Sequence, residues 1–235
     1  MRLGWLLDFL TSEFGVCTVM ASILSNKWTK ALVFLLCLGP LGYLGWMAYH
    51  GRLTANPIEY ITHYTGDYIL IFLILTLSIT PARKLLGLPQ LIRFRRMLGL
   101  FAFFYACLHF LTYIVFDQFF DFSAMLGDVA KRKYITVGFT GFVLLIPLAI
   151  TSSAGWIRRL GGRRWQQLHR LIYITAAAGV IHFLWLVKSD ITRPTRYGAV
   201  VAFLLLYRLA VWLANRQMRP QPLRSPAKLS PTEGS

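Results

Sequence analysis

The sequence predicts an all-α membrane protein, a six-transmembrane-helix bundle with its N-terminus and its C-terminus on the cytoplasmic side. Apolar residues make up 56% of the chain and charged residues only 14%, whereas about a quarter of the residues of a soluble domain are charged. The mean hydropathy is +0.55. Apolar runs of about 20 residues, the length that crosses a bilayer as a helix, recur along the chain and leave no room for a soluble domain.

The predicted spans follow the apolar runs and divide the chain into three parts. Residues 1–30 form an N-terminal cytoplasmic or interfacial segment, residues 31–215 the six-helix transmembrane domain, and residues 216–235 a proline-rich, disordered cytoplasmic tail. Pro81 is expected to end the second span. The spans, in chain order, are about 31–49, 66–80, 97–116, 135–151, 170–187 and 197–214.

Lys and Arg residues are unevenly distributed between the loops. Of the 25 in the chain, 18 fall in the N-terminal segment, in loops 81–96 and 152–170 and at the C-terminal end, and 7 fall in the other loops. Because cytoplasmic loops carry the excess of Lys and Arg, both termini are predicted to be cytoplasmic. The net charge of +16 therefore indicates membrane topology and contacts with membrane lipids, and it does not indicate nucleic-acid binding.

Several common sites are excluded by the motifs that the chain lacks. The cysteines Cys17, Cys37 and Cys107 form no CxxC pair, so neither a disulfide framework nor a zinc or iron–sulfur site is indicated. The sequence has no GxGxxG, no P-loop and no serine-nucleophile elbow, and we expect no nicotinamide or flavin-reductase domain after the last span. If the chain carries electrons, their donor and final acceptor are therefore other molecules.

Two histidines inside the predicted spans are the strongest candidates for chemistry. His109 follows Met97 by 12 residues and His182 follows Arg170 by 12, which puts each about 18 Å from the start of its span. The third and fifth spans run parallel, so the two imidazoles are expected at the same depth. Such a pair can clamp one planar iron macrocycle, with His109 and His182 as axial ligands of a haem iron.

Other roles for these histidines stay open from the residues alone. A histidine in a membrane helix can also be a hydrogen-bonded packing residue or part of a proton pathway, as in a proton-coupled transporter. His169 precedes His182 by 13 residues, and the matching residue before His109 is Arg96, which is no haem ligand. A second bis-histidine haem therefore lacks a partner. His50 and His63 are expected in the first outer loop.

A basic and aromatic stretch, Arg163–Arg170, lies at the predicted cytoplasmic boundary of the fifth span. It can be a snorkelling anchor for the helix. It can also contribute, with Arg95 and Arg96, to a site for an anionic cofactor, because guanidinium groups match phosphate geometry.

Six short motifs resemble the MsrQ (YedZ) family, haem-binding membrane subunits within the ferric-reductase-like transmembrane superfamily. The resemblance covers roughly residues 28–215. The motifs are Asn56-Pro57, His63–Gly66, Ile79–Pro81, Gly99–His109 with Arg95-Arg96 before it, Trp165–Arg170 and Ile181–Trp185.

The resemblance implies a haem b and an FMN in a bundle of the bacterial inner membrane. It implies a non-catalytic electron-transfer subunit that passes electrons from the quinone pool, or from a quinol or flavin-reductase donor, to a periplasmic partner. That partner is a molybdopterin methionine-sulfoxide reductase catalytic subunit, which repairs oxidised proteins. A membrane ferric or quinone reductase with a small-molecule acceptor is the alternative.

The resemblance also implies which residues bind the cofactors. The family's haem-associated histidines fall on His109, His169 and His182 of this sequence, with His169 either a ligand or a neighbour of the flavin or quinone. Arg95, Arg96, Arg163 and Arg164 are the candidates for the FMN or quinone side. Arg96 departs from the wider superfamily, whose members carry two histidines on each of the two helices.

Overall fold

The computed structural model describes residues 19–187 and 189–217. Residues 1–18 of the predicted N-terminal segment 1–30 and residues 218–235 of the predicted tail 216–235 lie outside the described residues. The described remainder of each is largely helical: residues 19–25 and the chain from Lys27 at the start, and residues 216–217 at the end. Within the described ranges the chain is helical and contains no strand.

The helices are joined by short turns. A helical segment over 19–25 precedes the first long helix, a short 3-10 turn Pro89–Leu91 leads into α3, and a π-helical turn Tyr113–Asp117 follows α3. The helices are α1 Lys27–Tyr49, α2 Pro57–Leu85, α3 Ile92–Thr112, α4 Phe122–Lys131, α5 Lys133–Ile150, α6 Ala154–Leu160, α7 Gly162–Leu168, α8 Leu171–Leu186 and α9 Thr192–Gln217.

Six helical stretches among the described residues are long and apolar enough to cross a membrane. They are α1, α2, Pro89–Asp117 around α3, α5, Gly162–Leu186 comprising α7 and α8, and α9. The prediction of an all-α bundle with six spans is confirmed. The side of the membrane on which the termini lie stays a prediction from the distribution of Lys and Arg.

Helix α2 begins earlier than the predicted second span because its start is capped. The side chain of Asn56 accepts a hydrogen bond from the backbone N–H of Glu59 at 3.3 Å, and Pro57 occupies the first helical position, where its missing N–H costs nothing. His63 therefore lies inside α2, and its predicted place in a loop is wrong.

Helix α2 also continues past Pro81 to Leu85, so the prediction that Pro81 ends the span is wrong. Proline has no N–H and leaves the carbonyl of Leu77, one turn earlier, without its helical donor. Arg208 of α9 donates to that carbonyl through Nη2 at 2.7 Å. A side chain from a neighbouring helix thus satisfies the freed backbone group, as a membrane interior requires.

A buried tyrosine hydroxyl joins α1 to α3. The hydroxyl of Tyr105 donates to the carbonyl of Cys37 at 3.0 Å and accepts from the N–H of Leu41 at 3.2 Å. These two backbone groups would otherwise bond to each other in an α-helix, next to Pro40. Tyr105 is fully buried, and it fixes α1 against α3 one turn before His109.

The centre of the bundle consists of two antiparallel helix pairs. Helix α2 packs along α3, α5 packs along α8, and α3 also contacts α5. Helix α9 packs against α8 and α2, and α1 against α3. The short helix α4 lies at one end of the bundle and packs on α5; we call this end the α4 end and the opposite one, which holds α6 and α7, the α6–α7 end. The helices that carry His109 and His182, α3 and α8, therefore run parallel, as predicted.

Candidate cofactor-binding site

A cavity of about 710 Å³ opens between α2, α3, α5 and α8, with α4 across one end. Most of its wall is apolar, and the rings of Phe110, Phe139, Phe142 and Phe183 line it. One face of α4 contributes Phe122, Met125, Leu126 and Val129. A wall of this kind suits a large, flat, mostly apolar ligand.

His109 and His182 both project into this cavity, from α3 and α8. Their ring centroids lie 6.1 Å apart, and the two ring planes are at 89°. The equal depth expected from the sequence is therefore present in the fold.

Each of these imidazoles is anchored through Nδ1 to the backbone of a neighbouring helix. His109 Nδ1 lies 3.0 Å from the carbonyl oxygen of Thr62 in α2, and His182 Nδ1 lies 2.7 Å from that of Tyr134 in α5. A carbonyl oxygen only accepts, so both Nδ1 atoms carry a proton and donate. In a neutral imidazole this leaves the lone pair on Nε2 free to bind a metal.

The pair fits a haem iron better than a bare metal ion. Two imidazoles that bind one metal through nitrogen at about 2 Å have ring centroids about 6 Å apart, and the observed separation is 6.1 Å. Among the described residues no group of three or more His, Cys, Asp and Glu could hold a metal ion by itself. A porphyrin supplies its own ligands, so two histidines and an apolar cavity are what it needs from the protein.

His63 is a further histidine of the cavity wall, which sequence reasoning missed. It lies in α2, with its ring centroid 6.5 Å from that of Phe183 and Nε2 3.8 Å from the carboxylate of Glu59. The helix cap at Asn56-Pro57 is the sequence feature that could have predicted this position of His63. It starts the helix early enough to put His63 on the face shared by Gly66 and Asp67.

The cavity has a polar rim at the α4 end. Asp67 pairs with Arg193 of α9. Arg132 lies 3.1 Å from Asp128, which also accepts from Gln118 at 2.9 Å. The site is therefore apolar around the histidine pair and charged where it approaches the loops.

His169 does not belong to the cavity. It lies at the junction of α7 and α8, with its ring stacked on Trp165 at a centroid distance of 3.9 Å. Its Nε2 is 3.1 Å from the hydroxyl of Thr151, which donates its own proton to the carbonyl of Pro147 at 2.6 Å. The hydroxyl must therefore accept from His169 Nε2–H. The fold does not bring His169 to the other two predicted haem histidines.

Of the four candidate arginines, Arg95 is the one that the fold partly buries. Arg95 is half-buried and lies within electrostatic range of His169, Arg208 and Tyr173. Arg208 Nη1 donates to the hydroxyl of Tyr173 at 3.1 Å. The other three candidates are exposed: Arg96, Arg163 and Arg164.

Comparisons with known proteins agree with this architecture. Residues 65–180, from α2 into α8, match the family described as ferric reductase like transmembrane component. A relative from Herminiimonas arsenicoxydans is 56% identical over 182 residues, 77% of this chain and 84% of the relative. One from Rhodospirillum rubrum is 48% identical over 84% of this chain and 95% of the relative, and one from Caulobacter vibrioides 46% over 83% and 92%. Each is named as the protein-methionine-sulfoxide reductase haem-binding subunit MsrQ.

The chain belongs to the MsrQ family. The resemblance predicted from the six motifs is thereby confirmed. Membership of the MsrQ family, together with six apolar helices, makes this a multi-pass membrane protein, and the inner membrane is consistent with the bacterial relatives. The matched region 65–180 contains His109 and His169 and ends two residues before His182.

Proposed function

We propose that this chain is the haem-binding membrane subunit of a protein-methionine-sulfoxide reductase system and passes electrons to the subunit that reduces methionine sulfoxide. The names of the relatives support the system, since each is called a haem-binding subunit of such a reductase. The observation that carries the proposal within this chain is the pair His109 and His182, two imidazoles with 6.1 Å between their centroids in an apolar cavity.

In this proposal His109 and His182 would together hold the iron of one haem b. When bound, the haem supplies a one-electron couple between ferric and ferrous iron. The protein holds both imidazoles through Nδ1, presents Nε2 to the cavity and keeps water from the apolar faces. The phenylalanine rings of the cavity wall favour a flat macrocycle over a hydrated ion.

Electron entry is proposed at the α6–α7 end, on the cytoplasmic side. Arg95, half-buried beside His169, is suited to an anionic group such as the phosphate of FMN. Arg96, Arg163 and Arg164 are exposed and are suited to the approach of a quinol or a flavin-reductase donor at the membrane surface. His169 lines this side as a neighbour of the flavin or quinone.

Electron exit is proposed at the α4 end, on the periplasmic side. The polar rim of the cavity, with Asp67, Arg132 and Arg193, is the part of the site closest to the loops. The partner proposed to dock there is a molybdopterin methionine-sulfoxide reductase catalytic subunit. The matched family description also favours a second candidate, a membrane ferric reductase acting on a small acceptor.

The test couples this chain, in membranes or detergent, to the purified catalytic subunit with a reduced quinol or flavin donor. Reduction of methionine sulfoxide in an oxidised protein is measured with the native chain, with His109→Ala and with His182→Ala. The control is His50→Ala, which removes an exposed histidine at the end of α1. We expect turnover only with the native chain and the control. Equal turnover without this chain, or rapid reduction of ferric citrate in place of the sulfoxide, contradicts the proposal.

A further inference from the structure

The two cavity histidines rest on the same local feature of two different helices. His109 donates to the carbonyl of Thr62, and four residues after Thr62 comes Gly66. His182 donates to the carbonyl of Tyr134, and four residues after Tyr134 comes Gly138. We call each combination of a carbonyl and a glycine one turn later a carbonyl–glycine notch.

Helix geometry explains why a glycine belongs at the second position of a notch. The carbonyl of residue i points along the axis toward residue i+4, whose N–H it accepts. Side chains lean toward the start of the helix, so a Cβ at i+4 lies over that carbonyl. An imidazole that approaches the carbonyl from the side therefore meets the side chain at i+4. A glycine at i+4 leaves that approach open, because it has no Cβ.

The distances show that the two glycines differ in how strongly they are constrained. A Cβ at Gly138 would lie 2.5 Å from His182 Nδ1 and 2.9 Å from its Cε1, closer than non-bonded atoms approach. A Cβ at Gly66 would lie 3.3 Å from His109 Cε1 and 3.5 Å from its Nδ1, a tight contact. At Gly138 an added methyl would thus clash with the nitrogen that makes the anchoring hydrogen bond, and at Gly66 the His109 ring would have to shift by a small amount.

Other glycines in the described transmembrane helices do not face a histidine ring. Gly179 and Gly198 are also tight, but a Cβ there would meet Leu70 Cδ2 at 3.0 Å and Val180 Cγ1 at 3.1 Å. A Cβ at Gly42 or Gly45 of α1 would meet nothing within 4 Å. At Gly99 of α3 it would meet Thr76 Cγ2 at 3.7 Å, and at Gly141 of α5 it would meet Ala178 Cβ at 3.5 Å, both ordinary contacts. Gly66 and Gly138 are thus the helical glycines whose missing side chain makes room for a histidine ring.

We propose that Gly66 and Gly138 are positioning residues that admit the two haem-ligand imidazoles to their backbone carbonyls and so hold Nε2 of each toward the iron. This rests on the proposed function, because it takes His109 and His182 as the ligands. The two notches lie on α2 and α5, which run antiparallel to the histidine helices. Each helix pair therefore contains one carbonyl–glycine notch that holds a histidine.

The proposal predicts how an added methyl changes the site. The backbone carbonyl of Tyr134 is held in α5, so Gly138→Ala displaces the His182 ring and breaks the Nδ1–H hydrogen bond. Loss of such an outer hydrogen bond typically weakens metal binding by roughly 10–100-fold. It also removes electron density from the ligand and disfavours ferric iron, so the midpoint potential rises. Gly66→Ala gives the same changes in weaker form.

The experiment uses the full chain in detergent, with haem titrated into apoprotein and the visible and electron paramagnetic resonance spectra recorded at saturation. Gly138→Ala and Gly66→Ala are compared with two controls. Gly99→Ala adds a methyl elsewhere in the bundle, and Gly141→Ala adds one to the same cavity wall without touching a histidine. We expect weaker haem binding and altered ferric spectra in the order Gly138, then Gly66, and native behaviour for Gly99. An effect of Gly141→Ala as large as that of Gly138→Ala would mean that crowding of the cavity is responsible, and would overturn the proposal.

A double-mutant cycle removes the remaining ambiguity of misfolding. In a His182→Ala background there is no ring at the second notch, so Gly138→Ala should leave the thermal unfolding midpoint of the chain in detergent unchanged. A clear additional fall of that midpoint in the His182→Ala background means general damage to the fold and contradicts a positioning role. If His109→Ala and His182→Ala abolish haem binding while Gly138→Ala keeps native affinity, spectra and potential, the positioning role is wrong and the proposed function stands. If both histidine variants bind haem normally, the ligand assignment itself is wrong.

Discussion

The two ends of the bundle use histidine in different ways. Toward the α4 end, His109 and His182 donate through Nδ1 to backbone carbonyls and leave Nε2 free in an apolar cavity. At the α6–α7 end, His169 donates through Nε2 to Thr151 and stacks on Trp165. The position of a histidine inside a membrane helix is therefore not enough to make it a metal ligand. The hydrogen-bond partner decides which nitrogen carries the lone pair.

The two ends of the bundle also differ in the charged residues that they carry. The half-buried Arg95 lies within electrostatic range of His169, and the half-buried Arg208 lies within range of Arg95. The acidic residues within the described part of the chain belong instead to segments of the α4 end: Glu59, Asp67, Asp117, Asp121, Asp128 and Asp190. An end with cations is suited to an anionic cofactor or donor, and an apolar cavity with a mixed rim is suited to the haem and its exit surface.

The largest expected effect separates the three histidines by haem content. His109→Ala and His182→Ala should each remove nearly all haem from the purified chain, because each deletes an axial ligand. His169→Ala should keep it, because His169 does not line the cavity. Extracted haem per chain, measured beside the reduced-minus-oxidised spectrum, checks this. Haem loss in His169→Ala with retention in His182→Ala would reverse the assignment of the two ends.

A smaller effect is expected for the cation of the α6–α7 end. Arg95→Gln should lower the affinity for FMN by roughly 10-fold, the cost of one charge-assisted hydrogen bond to a phosphate. The haem content should not change, since the cavity lies elsewhere. FMN fluorescence quenching on titration gives the affinity, and Arg158→Gln, an exposed arginine of α6, is the matched control. If both variants behave alike, Arg95 is not a specific part of an FMN site.

The smallest effect concerns the interruption of α2 at Pro81. Arg208→Met leaves the carbonyl of Leu77 without a donor and should cost about 1 kcal/mol in the free energy of unfolding. Pro81→Ala returns a backbone N–H to this position, so it should recover part of that loss in the Arg208→Met background. Thermal unfolding in detergent measures both, with Arg196→Met as an exposed control. Simple additivity of Arg208→Met and Pro81→Ala would argue against the compensation.

The features that the sequence could predict are those that depend only on position along the chain. Hydropathy identifies the six spans, and a fixed rise per residue puts His109 and His182 at one depth. The continuation of α2 past Pro81 could not be predicted from position along the chain. The side chain that donates to the carbonyl of Leu77 lies 131 residues further along the sequence. The early start of α2 was accessible from Asn56-Pro57, and with it the place of His63. The carbonyl–glycine notches require knowledge of which helices are neighbours.

His169 shows the same limit for a candidate ligand. Its motif places it on the haem side by resemblance, and its distance along the helix separates it from His182. Neither feature reveals that the hydroxyl of Thr151, which donates to the carbonyl of Pro147, accepts a hydrogen bond from Nε2–H of His169. That hydrogen bond depends on how α7 meets the end of α5, which a sequence does not state.

The number of haems bound per chain in the native protein, counted from extracted haem and protein concentration on one sample, decides whether the bundle holds one haem or two. We expect one b-type haem per chain, lost in His109→Ala and in His182→Ala. Two haems per chain, with one of them lost in His169→Ala, would contradict the assignment of a single clamp and would make the α6–α7 end a second haem site.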